Sequence, residues 1–127
     1  MIYGIGTDIT EIDRIDSLLD RAGFKERVFS EAELEAFSKL KSRARKLTGC
    51  FSVKESFSKA LGTGVSGFSL KEVSVLRDDR GKPYIEFTGN ALEMMTSKGL
   101  SAMVTISDTD SLVVSFVLIE KKDGDPE

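Results

Sequence analysis

The sequence contains no histidine, no tryptophan, a single cysteine and two prolines in 127 residues. Without histidine, one chain cannot assemble a Ser-His-Asp or Cys-His nucleophilic system, nor a histidine-based metal site. Acid–base or metal chemistry must then come from carboxylates, lysines, hydroxyls or water, a ligand set that suits hard cations such as Mg²⁺. The lone Cys50 cannot form an intrachain disulfide and gives no basis for a structural zinc site. No apolar run approaches the roughly 20 residues needed to cross a bilayer. Met1-Ile2-Tyr3 leads into a glycine-punctuated strand with no basic leader, so the expectation is a cytoplasmic protein with no membrane partner. The formal net charge of −3 gives no support to a nucleic-acid partner, which favours a basic domain or stripe. Basic residues do concentrate in Lys39-Leu40-Lys41-Ser42-Arg43-Ala44-Arg45-Lys46, a pattern that also reads as a solvated helix face.

What remains is a hydrophobic fraction of 40% and a charged fraction of 31%, the composition of one small globular domain. A chain this short buries only about two-thirds of its unfolded surface, which makes help from oligomerisation plausible. Residues 2–12 alternate as a strand. Ile12, Ile15, Leu18 and Leu19 then recur at helical spacing and stop before Gly23. Ser30-Glu31-Ala32-Glu33 is a capping-box pattern for a short helix, and a longer helix is expected from after Ser42 to Leu61, with Gly62 as its left-handed stop. Phe68–Leu76 and Tyr84–Phe87 read as strands joined through Asp78-Asp79-Arg80-Gly81, followed by a helix over Ala91–Lys98 and a hairpin of Ala102–Ile106 with Leu112–Ile119. The fold class expected is α+β, an antiparallel sheet packed with a long helix, in one domain over 1–121. A charged, frayed tail is expected over 122–127.

Two segments could carry chemistry. In Gly4-Ile5-Gly6-Thr7-Asp8-Ile9, two glycines within a strand mark close approach by backbone or ligand. Asp8 follows amid apolar neighbours, as a metal ligand at a strand's end or as a partner of a nearby helix terminus. In the second segment, Phe51 to Gly64, Glu55 and Lys59 are four apart and share one helix face. That spacing is common for a merely stabilising pair. The interleaved Phe51, Phe57 and Leu61 suggest a partly enclosed face, where a carboxylate could hold a cation one turn from a phosphate-facing lysine. Gly62-Thr63-Gly64 would let the backbone approach a ligand, or simply end the helix.

Together the segments point to a family. Gly4-Ile5-Gly6-Thr7-Asp8-Ile9-Thr10-Glu11-Ile12-Asp13-Arg14-Ile15 closely resembles the amino-terminal signature of the holo-acyl-carrier-protein synthases, the small trimeric 4′-phosphopantetheinyl transferases. Lys54 to Gly64 resembles their second signature, and Gly81-Lys82-Pro83-Tyr84 and the closing strand pair fall in the expected order. The resemblance implies a Mg²⁺-dependent transfer of the 4′-phosphopantetheine arm of coenzyme A to a serine of an apo acyl carrier protein, as in fatty acid biosynthesis. It implies Asp8 and Glu55 as metal ligands, and Glu55 and Lys59 as the residues acting on the carrier serine and on the departing 3′,5′-ADP. By the same resemblance Ser58, Lys59, Gly62, Thr63, Gly64, Pro83 and Thr109 contact coenzyme A, and Arg14 and Arg21 dock the carrier protein. A homotrimer is implied, with sites between subunits and the neighbouring chain contributing residues near Arg80 to Pro83.

Two positions depart from the family pattern. Cys50 stands where a basic residue commonly precedes the phenylalanine that matches Phe51. Asp108, in Thr105-Ile106-Ser107-Asp108-Thr109, stands where a histidine associated with nucleotide binding is usual. Two lost cations and a new carboxylate are expected to weaken phosphate binding, unless Arg43, Arg45 and Lys46 compensate. These departures keep an alternative open, a non-catalytic coenzyme A or carrier-protein binding module on the same fold. A magnesium-dependent nucleotide hydrolase is a further alternative, but the sequence has no Walker-type phosphate loop.

Overall fold

A computed structural model describes residues 1–122. Strand β1 (Ile2–Glu11) runs directly into helix α1 (Ile12–Leu19), followed by the short α2 (Phe24–Val28) and α3 (Glu31–Phe37). The long α4 (Arg43–Leu61) precedes β2 (Val73–Arg77) and β3 (Pro83–Phe87). Helix α5 (Gly89–Ser97) and the hairpin of β4 (Leu100–Asp108) and β5 (Leu112–Lys121) complete the order. The α+β class and its long helix on an antiparallel sheet are as expected. The sheet is split, however, into a three-stranded unit in the order β1-β5-β4 and a β2-β3 ribbon, all antiparallel.

Local chemistry accounts for most boundaries. Ser30 accepts from the Glu33 amide while the Glu33 side chain takes the Ser30 amide, the capping box read from sequence. Helix α4 ends at Gly62, whose φ of 84° and amide bonds to Ser58 and Lys59 carbonyls satisfy the last turn. Two expectations need correction. No strand runs over 68–72: Leu70–Glu72 is a 3₁₀ turn capped by Ser69, and pairing begins at Val73 opposite Phe87. The Lys54 ammonium accounts for this by taking the Leu70 and Val73 carbonyls at 3.0 and 2.5 Å, drawing that backbone inward before it meets a strand partner. The helix over 24–28 was not anticipated, because five residues are too few to show a period. The charged tail expected from 122 lies, from 123 onward, outside the described residues; Lys122 itself donates its amide to Gly99.

The core lies between α4 and the sheets, built on Ile15, Leu47, Val53, Phe57, Val73, Val117 and Ile119. Phe57 stacks against Phe68 and Phe87 at centroid distances of 5.6 and 5.1 Å. Within it sits a charged pair. Lys54 Nζ meets Glu33 Oε1 at 2.8 Å with both side chains fully buried, and Glu33 Oε2 accepts the Val75 amide at 2.8 Å. Each charge is held by further hydrogen bonds, the condition under which a buried ion pair is tolerated.

Candidate active site

Alternation places Gly4, Gly6, Asp8 and Thr10 of β1 on the face covered by α4. A Cβ on Gly4 or Gly6 would overlap the carbonyl oxygen of Ala60 or Ser56, so the glycines serve backbone-to-backbone approach of strand and helix. The same alternation brings Asp8 against the middle of α4. From Leu47 to Leu61 every residue of that helix is buried except Glu55, which is half-buried, and Lys59, which is exposed. A stretch of helix that opens to solvent only at a glutamate and a lysine one turn apart is not a decorated surface helix. Lys59 does not simply pair along the helix either. Its ammonium donates to the Thr7 carbonyl at 2.9 Å and lies 3.9 Å from Asp8 Oδ1.

The Asp8 carboxylate is held from behind. Its Oδ2 accepts from Thr10 Oγ1 at 2.5 Å and from Ser52 Oγ at 2.8 Å, both buried, leaving Oδ1 toward Lys59. Ser52 in turn meets Ser115 Oγ at 2.7 Å, and Ser115 meets Ser56 Oγ at 2.7 Å. Sequence reading did not find these hydroxyls; serines at 52 and 56, one turn apart on the same helix face, were the available signal. Among the described residues no three acidic, cysteine or histidine side chains form a metal cage. Two carboxylates are nevertheless what Mg²⁺ commonly takes from a protein when substrate phosphates and water fill its remaining positions, so the donor set fits that ion.

The other expected residues spread around this centre. Gly62, Thr63 and Gly64 form an exposed loop at the end of α4, and a Cβ at either glycine would meet nothing within 4 Å. Ser58, by contrast, is buried, and its hydroxyl donates to the Lys54 carbonyl within α4 at 2.9 Å. Pro83 lines a cleft of about 210 Å³ with Lys82, Tyr84, Ala102, Met103 and Val104. Thr109 closes the β4–β5 turn, its Oγ1 accepting the Ser111 and Leu112 amides. Arg14 projects from α1 with its guanidinium 5.5 Å from the centroid of the Phe51 ring, and Arg21 is exposed just beyond the same helix. A roomier groove, about 540 Å³, runs between Ser30, Ser74 and Thr88, but Glu31, Glu72 and Glu86 outnumber Lys71 along it, a balance that disfavours a polyanion.

The two departures look different in three dimensions. Cys50 is buried on the face of α4 that packs on β2, its Sγ 3.5 Å from the Val75 carbonyl. Burial, and then the nearby Glu33 carboxylate, hold its thiol well above the usual range, so it stays neutral. This position therefore points into the core in this chain and carries no charge. Asp108 pairs with Arg45 at 3.1 Å, and Arg45 also reaches Asp110 at 3.9 Å. The added carboxylate thus arrives with its own cation from α4.

An α+β domain here sets an exposed lysine beside a tethered strand aspartate, with a half-buried glutamate one turn earlier on the lysine's helix. The chain belongs to the 4′-phosphopantetheinyl transferase superfamily, whose model matches residues 4–116. It is 41% identical over 123 residues to the holo-[acyl-carrier-protein] synthase of Vibrio vulnificus, covering 94% of this chain and 98% of that one. It is 40% identical over 111 residues to the synthase of Fusobacterium nucleatum, covering 87% and 91%. The crystal structure of the Neisseria meningitidis holo-[acyl-carrier-protein] synthase superposes with a TM-score of 0.87 at 34% identity, over 95% of this chain and all of that one. The Bacillus anthracis synthase in complex with CoA (3′,5′-ADP) superposes with a TM-score of 0.82 at 34% identity, over 96% and 99%.

Proposed function

We infer that this chain transfers the 4′-phosphopantetheine arm of coenzyme A to a serine of an apo acyl carrier protein, giving holo carrier protein and 3′,5′-ADP. The observation that carries the reading is the meeting of Lys59 with Asp8 at 3.9 Å, where the otherwise buried Leu47–Leu61 stretch of α4 opens to solvent. Mg²⁺, held by Asp8 and Glu55 together with the pyrophosphate, would neutralise phosphate charge and polarise the phosphoryl group. The carrier serine Oγ attacks the β-phosphorus; the new O–P bond forms as the bond to 3′,5′-ADP breaks. Its proton passes to the Glu55 carboxylate or to water beside it. Lys59, with one N–H engaged by Thr7, keeps donors for the departing phosphate. The loop of Gly62, Thr63 and Gly64 offers backbone that can approach the nucleotide without a Cβ in the way. Arg14 and Arg21 offer cations to an acidic carrier protein.

The assembly read here is a homotrimer in the cytoplasm. Its support is the outer face of the three-stranded sheet, where Ile5, Ile9, Met103, Val114 and Phe116 stand together unpacked, Ile9 and Met103 at 63% and 60% exposure. An apolar face of that extent is a partner surface. A second and third copy would cover it and bring the Arg80 to Pro83 segment of a neighbour to the site. Light scattering should give the mass of three chains, and Phe116→Glu should give one.

Release of 3′,5′-ADP from coenzyme A tests the chemistry. It should require both apo carrier protein and Mg²⁺. Lys59→Ala should lower kcat by on the order of a hundredfold, as for other groups that meet developing charge, while melting near the parent temperature. Near-parental turnover in both Glu55→Ala and Lys59→Ala would overturn the assignment.

A further inference from the structure

We propose that Ser52 is a positioning residue, which fixes the Asp8 carboxylate so that Oδ1 alone is presented to the cation. This rests on the reading of Asp8 as a cation ligand. Each serine hydroxyl carries a single proton. Ser52 uses its proton on Asp8 Oδ2, 2.8 Å away, so at the 2.7 Å contact with Ser115 it must accept. Ser115 spends its own proton on Ser52 and accepts the single proton of Ser56, shared between Ser115 Oγ at 2.7 Å and its carbonyl oxygen at 3.2 Å. The order runs in one direction, from Ser56 through Ser115 and Ser52 to Asp8.

Ser52, Ser56 and Ser115 are all essentially inaccessible to solvent, so no water can substitute for a missing link. The chain also ties three elements: Ser52 and Ser56 belong to α4, and Ser115 of β5 is the register partner of Asp8 in β1. Thr10 supplies the second donor to Oδ2 at 2.5 Å. One carboxylate oxygen is thereby committed to the protein. Without Ser52 the carboxylate is held by Thr10 alone and can turn more readily toward Lys59, 3.9 Å from Oδ1, and the ammonium then competes with the cation.

The test is Mn²⁺ affinity of the purified full chain with coenzyme A, read from the free-ion electron paramagnetic resonance signal, with no turnover involved. Ser52→Ala should bind Mn²⁺ about tenfold or more weakly, in line with other groups that orient a metal ligand from behind. Ser52→Ala should also melt lower, because Ser115 loses the acceptor of its buried proton, so binding is compared at a temperature where both proteins are folded. Thr10→Val, which removes the other Oδ2 donor at nearly constant volume, should act in the same direction and decides the matter if Ser52→Ala does not fold. Thr48→Val, whose buried hydroxyl bonds only the Ala44 carbonyl on the same helix, should bind as the parent does. If Asp8→Ala binds Mn²⁺ as tightly as the parent, the ligand reading itself falls and this inference with it. If Asp8→Ala weakens binding while Ser52→Ala and Thr10→Val do not, the ligand reading stands and the positioning role is overturned.

Discussion

Gly6 lets β1 approach α4 so closely that a Cβ there would overlap the Ser56 carbonyl oxygen and stand 2.8 Å from the Ala60 amide nitrogen and 3.0 Å from Lys59 Cβ. Backbone atoms cannot swing aside as a long side chain can. Gly6→Ala should therefore cost at or beyond the top of the ~1–3 kcal/mol usual for overpacking, and activity should fall further than stability because Lys59 moves with the helix. Denaturant melts beside steady-state rates separate the two; an alanine variant with parental stability and kcat would contradict the packing argument.

This contact also shows how far the sequence could be read. The glycine pair announced a close approach without saying whether backbone or ligand makes it, because a missing side chain is silent about its neighbour. The cap at Ser30, the helix ending at Gly62 and the closing hairpin were legible, since each rests on chemistry within a few residues. Lys54 and Glu33, 21 residues apart, were not. Two charged residues on predicted helices read as solvent-facing until folding places both inside. The neutral role of Cys50 and the Arg45–Asp108 pair were hidden for the same reason, being set by which helix face meets which strand.

Removing Lys54 would leave Glu33 buried without its cation and free the Leu70 and Val73 carbonyls. Lys54→Met should cost about 3–5 kcal/mol, the range for breaking one side of a buried pair. Urea denaturation measures it directly, and a loss below about 1 kcal/mol would mean the pair contributes as little as a surface one.

Arg14 lies on the outside of α1 with its guanidinium over the Phe51 ring, a placement suited to docking. Arg14→Ala should raise KM for the carrier protein severalfold, change kcat less, and flatten the dependence of kcat/KM on ionic strength. A collapse of kcat with unchanged carrier KM would assign this arginine to the chemistry instead.

Glu72 joins the 3₁₀ turn to α5. Hydrogen bonding from the Ser69 amide, followed by those of Asn90 and Ala91, lowers its carboxyl below the ordinary value of 4.5. A carboxyl lowered in the folded state stabilises it above the unfolded value and loses that contribution as pH falls through the folded one. The parent should thus lose melting temperature on acidification below about pH 4.5 more steeply than Glu72→Gln, and the two curves should converge in acid. The increment is small because the carboxylate is solvated. Parallel curves throughout would remove Glu72 from the acid response.

Covalent transfer is read by intact-mass spectrometry of an apo carrier protein incubated with this chain, coenzyme A and Mg²⁺. The carrier should gain one phosphopantetheine arm, located on a single serine by fragmentation, and the gain should disappear with Asp8→Ala. A carrier that stays unmodified while the chain binds coenzyme A and carrier protein normally would contradict it, and would leave a binding module on a transferase fold.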